Sequence, residues 1–117
     1  LETALVKLKE IKKEFWSNVR IPGSIDDLNM ELEKALRVDD FIEVGILMAH
    51  DALIREESCG GHFREEFQTE EGEALRDDEN FSFVGCWKYT GENSEPELIK
   101  EDLNYEFVQV QTRNYKA

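Results

Sequence analysis

A chain of 117 residues, 40% hydrophobic and 35% charged, has material for one domain of ordinary soluble composition and one modest core. Its formal net charge of −13 argues against nucleic acid and anionic membrane surfaces as partners, since both require a basic face. No apolar run approaches the ~20 residues of a membrane span, and no basic-then-apolar signal segment is present in these residues.

Residues 1 to 18 are expected to form an amphipathic helix. Leu1, Leu5, Leu8, Ile11 and Phe15 recur at spacings of three and four, Trp16 broadens the apolar side, and Lys7, Glu10, Lys13 and Glu14 take the wet side. The pattern is already running at Leu1, with only Thr3 as a weak cap. That predicts a fragment of something larger.

Pro22 and Gly23 break this helix. Ser24, with Asp27 three residues on, resembles a capping box, so a second helix is expected over 25–57. Leu28, Leu32, Ala35, Val38, Phe41, Gly45, Met48 and Ala52 form one apolar row, and Ile42, Ile46, Ala49 and Leu53 form a second. Between Phe41 and Ile54 the helix is apolar on most sides, more than one partner helix can cover. Self-association through this stretch is therefore expected.

Gly60 and Gly61 are expected to end the long helix. Residues 64–80 carry eight acids and two arginines and read as a solvated loop with at most one short turn. "FSFVGCWKY", the turn "TGENSEPE" and "LIKEDLNYEFVQVQ" read as a β-hairpin, followed by an extended tail ending "TRNYKA". The predicted fold is mainly α: an incomplete antiparallel helical bundle over 1–60, then over 61–117 an acidic loop, a hairpin and the tail.

Chemistry is weakly signalled. Cys59 and His62 give one close pair of soft ligands, but zinc needs a second, and Cys86 stands alone in a strand. Two cysteines make no disulfide framework and read as reduced thiols. A Cys59–His62 nucleophile is disfavoured because Glu56, Glu57, Glu65 and Glu66 would raise a nearby thiol's pKa. His50 reads as a core histidine and the acidic runs as wet faces. The two glycines look architectural.

One ordered series of motifs does stand out. Arg55, Glu57, Ser58, Gly60, His62, Arg64 and Phe67, then "RDDEN" at 76–80, resemble the C-terminal region of succinate dehydrogenase and fumarate reductase flavoproteins. "FWSNVRIPG", "DFIEVGILMAHDALIREES" and the tail "TRNY" at 112–115 resemble the same family, so the likeness covers essentially the whole chain. Cys59 stands where the family often has arginine, and Gly61 where it often has alanine.

The resemblance implies a spectrin-repeat-like helical region of an oxidoreductase of electron transport and the tricarboxylic acid cycle. The whole enzyme interconverts succinate and fumarate with FAD. It works in the cytoplasm, or at the cytoplasmic face of the inner membrane through partner subunits. Its implied partners are the FAD-binding domain of the same chain and an iron–sulfur subunit. No GxGxxG or His-Pro-Thr-Gly segment occurs, so FAD is expected in the full-length protein and none on this fragment, with no catalytic, cofactor-binding or metal residue assigned here. Arg55, Glu57, Ser58, Gly60, His62, Arg64, Arg76, Asp77, Asp78, Arg113 and Tyr115 are the motif positions expected to contact the neighbouring domain. The alternatives are L-aspartate oxidase, which shares the Glu-Ser-x-Gly-x-His core, and an independent acidic interaction domain.

Overall fold

A computed structural model describes residues 1–92 and 94–111. The chain divides into two compact units, one ending at Arg55 and one beginning at Glu56. The architecture is mainly α with an appended β-hairpin, as the periodicity predicts.

The first unit is an antiparallel helix pair, α1 (Glu2–Asn18) and α2 (Met30–Ile54). Leu8 faces Gly45, Lys12 pairs with Glu43, and the Trp16 indole N–H donates to Asp39 at 3.0 Å. On α1 the half-buried positions are Leu5, Leu8, Lys12 and Phe15. Ile11, expected on that face, is exposed. Lys12 takes its place, its aliphatic stem along the seam and its ammonium at Glu43. On α2 the row containing Ile42, Ile46 and Ala49 is covered, and Ile42 is the buried hydrophobic residue. The other row is split: Gly45 lies against Leu8 at the seam, while Phe41 and Met48 stand outward, 68% and 67% exposed.

Both ends of α2 differ from the expected 25–57. The Ser24 hydroxyl accepts from Asp26 N–H at 2.9 Å, which closes a local turn rather than a helix cap. The cap is Asn29. Its carboxamide oxygen accepts from the N–H of both Glu31 and Leu32 at 3.1 Å, and its Nδ2 donates to the Pro22 carbonyl at 3.0 Å. Ile25 and Leu28, counted as the start of the helix, are therefore 91% and 90% exposed in the connection. At the far end α2 stops at Ile54 with Arg55 extended, before the two glycines are reached. Past that end the chain leaves the helix, and Glu57 and Ser58 bond instead to Asp77, Arg64 and Leu75.

The second unit is a run of tight reversals. Cys59 and His62 form a β-bridge, and so do Gln68 and Ala74. A short helix α3 (Asp78–Phe81) leads into β1 (Phe83–Lys88), which pairs antiparallel with β2 (Glu97–Asp102). Burial along β1 alternates strictly, so Phe83 and Trp87 share the covered face while Cys86 points outward. Lys88 bridges Glu97 at 2.9 Å across the register pair that closes the turn. The predicted second strand ran to about residue 111. It stops at Asp102 because β1 begins only after α3: Leu103 N–H still donates to Ser82 C=O at 2.9 Å just past the ladder, and among the described residues no strand continues beyond it.

Candidate functional site

The motif residues converge on two buried polar side chains, Ser58 at 0% and Glu57 at 3% exposure. Polar groups removed from water to this degree need partners, and both have them. The Ser58 hydroxyl accepts from Arg64 N–H at 2.8 Å and donates to Arg64 C=O at 3.2 Å, while Ser58 N–H donates to Leu75 C=O at 2.8 Å. The Glu57 carboxylate accepts from Asp77 N–H at 3.0 Å. A dipeptide thus ties the turn at 64 to the segment at 75–77. The Ser58 hydroxyl stands in for a strand partner of Arg64, engaged both as acceptor and as donor.

Between Ser58 and Arg64 the chain reverses at Gly60 and Gly61. Cys59 N–H donates to His62 C=O at 2.8 Å, and His62 N–H returns to Cys59 C=O at 3.0 Å. Gly60 has φ +58°, whereas Gly61 lies outside the positive-φ region. Glycine at the first central position is the requirement of a II′ hairpin turn. The glycines turn the chain sharply, as expected, but at a β-reversal five residues beyond the helix end. A Cβ on Gly61 would meet nothing within 4 Å, so an alanine fits there.

Arg64 stacks over Phe67 at 4.8 Å and bonds Glu66 through Nε at 2.9 Å. Glu66's own backbone N–H, and then the Arg64 guanidinium, hold its carboxyl below the usual glutamate range. Arg76 bonds Asp78 through both Nε and Nη2, and this pairing raises its pKa further. Its remaining Nη1 donates to the Gln111 carbonyl at 3.0 Å. Asp77 caps α3, accepting from Asn80 N–H at 3.1 Å.

Glu57, Ser58, Gly60, His62, Arg64, Arg76, Asp77 and Asp78 thus lie in the second unit, and the contacts above interlock them. Arg55 closes α2, its N–H donating to Asp51 C=O at 3.1 Å. Arg113 and Tyr115 lie outside the described residues. Sequence reading missed Thr69, whose backbone and hydroxyl bond Glu73 at 2.9 and 3.1 Å around Gly72. The signal was there, in a Thr-x-x-Gly reversal inside the acidic run. Also missed was the Gln111 carbonyl, which no side-chain pattern marks.

Among the described residues no group of three or more His, Cys, Asp or Glu can hold a metal ion, and no buried side-chain nitrogen or oxygen lacks a partner. Cys59 and Cys86 are exposed free thiols, and His50 is half-buried. No described helix is long and apolar enough to cross a membrane.

A search of curated proteins and a search of solved structures returned no match. One family model does match, over residues 1–115, so the chain belongs to the family described as the fumarate reductase flavoprotein C-terminal region.

Proposed function

We propose that this chain is the non-catalytic C-terminal region of a succinate dehydrogenase or fumarate reductase flavoprotein, and that it braces the flavin-carrying body of the same protein. The whole enzyme interconverts succinate and fumarate by hydride transfer with FAD and passes electrons to an iron–sulfur subunit, in the cytoplasm or at the inner face of a membrane through partner subunits. These residues supply none of the reacting groups.

The observation that carries this reading is the outward apolar row of α2. Phe41, Val44 and Met48 sit at helical spacing on one side and are all exposed, in a helix pair whose buried hydrophobic residue is Ile42. A stripe of this kind needs another body against it. The family supplies one in the flavin domain. In the same reading, the interlocked motif residues of the second unit, Arg64 and His62 foremost, make their own contacts with the flavin body.

In this proposal the described residues hold no dinucleotide. Their sheet is one antiparallel hairpin, without the strand, glycine turn and helix that seat a pyrophosphate. FAD therefore belongs, in this proposal, to the flavin body.

The test is made on the full-length flavoprotein. The wild type should reduce a dye with succinate and not with aspartate. Phe41→Glu combined with Met48→Glu should lower both soluble yield and succinate-dependent turnover. Turnover with aspartate alone, or full assembly of the double variant, would refute the reading.

A further inference from the structure

Residues 103–111 leave the hairpin as an exposed strap. Its sequence, with Tyr105, Phe107, Val108 and Val110, is strand-like, yet it adds no strand to the described sheet. Its two ends are held. Leu103 N–H donates to Ser82 C=O at 2.9 Å, and Arg76 Nη1 donates to Gln111 C=O at 3.0 Å, a contact 35 residues apart in sequence.

Arg76 is itself fixed. Its Nε and Nη2 are both committed to the Asp78 carboxylate, which sets the plane of the guanidinium and aims Nη1 at the strap. The adjoining Asp77 N–H is gripped by the buried Glu57 carboxylate at 3.0 Å. A continuous series of contacts therefore runs from the Glu57–Ser58 turn through Asp77 and Arg76 to the far end of the strap.

We propose that Arg76 is a latch that registers the C-terminal strap to the Glu57–Ser58 turn, with Asp78 as the side chain that orients it. This gives Arg76 and Asp78 a task inside their own unit. It stands independently of the flavin-body reading.

Limited chymotrypsin digestion of the 117-residue chain tests it, because Tyr105 and Phe107 are exposed cleavage positions within the strap. Cleavage of a held segment follows the population of its released form. Arg76→Gln should speed cutting at Tyr105 and Phe107 by roughly tenfold or more, the loss expected for one hydrogen bond from a charged group. Asp78→Asn should speed it less, and Gln111→Ala not at all, since the latch takes a main-chain oxygen. The ratio of strap cleavage to cleavage at Phe63 separates release of the strap from general loosening. Wild-type cutting in Arg76→Gln, or equal acceleration at Phe63 and in the strap, would overturn the latch.

Discussion

The Ser58 hydroxyl is the most exposing point at which to perturb the second unit. Ser58→Ala removes one oxygen and two hydrogen bonds, at 2.8 Å from Arg64 N–H and at 3.2 Å to Arg64 C=O. Ser58 is 0% exposed, so water does not replace the lost oxygen on its side. Leaving a covered donor without a partner costs about 1–3 kcal/mol. At about 1.4 kcal/mol per tenfold change, the Arg64 N–H should open roughly 5- to 150-fold more often. Amide hydrogen exchange read residue by residue measures this directly. Cys59 N–H and His62 N–H, which bond each other's carbonyls around Gly60, provide the internal comparison. The predicted pattern is a large acceleration at Arg64 and a smaller one at those two. Unchanged exchange at Arg64 would mean that the hydroxyl is not its working acceptor, and the interlock described here would fail.

Gly60→Ala should destabilise the reversal by about 1–2 kcal/mol because φ is +58° there, while Gly61→Ala should be neutral; exchange of the His62 amide distinguishes them. Gly45→Ala should stabilise α2 by about 0.5–1 kcal/mol, since the added Cβ would lie at an ordinary 3.8 Å from Leu8 Cδ2, and helicity by circular dichroism should rise. Asn29→Ala should cost about 1 kcal/mol at the start of α2, read as faster exchange at Glu31 and Leu32. Glu66 has its pKa lowered on folding, so its contribution is present above the ordinary glutamate value of about 4.3 and is lost as pH falls through the lower folded value. A carboxyl chemical-shift titration should place its midpoint below that of an unfolded glutamate. Arg64→Gln should raise the midpoint only in part, because the first cause of the shift is Glu66's own backbone N–H.

The elements were legible where local spacing decides them. Leu5, Leu8 and Phe15 announce α1, and the turn residues between Lys88 and Glu97 announce the hairpin. Their ends were not legible, because each depends on a competitor. Ser24 and Asp27 look like a cap, yet Ser24 turns onto Asp26, and Asn29 has the better reach to two amides. Just past the close of α2, Glu57 bonds to a residue 20 positions away, which local spacing does not mark. β2 ends where α3 leaves it no partner. The motif positions were visible only through family likeness. Their interlock, side chain to backbone at Glu57–Asp77 and Arg76–Gln111, leaves no mark on composition or periodicity.

What Arg76 holds at position 111 is an atom that every amino acid owns. Substitution there is thus free to drift, whereas adding or deleting a residue between Asp102 and Gln111 would present a different carbonyl, or none, to a guanidinium whose place is fixed. Selection acting on this stretch should therefore count residues more strictly than it reads them.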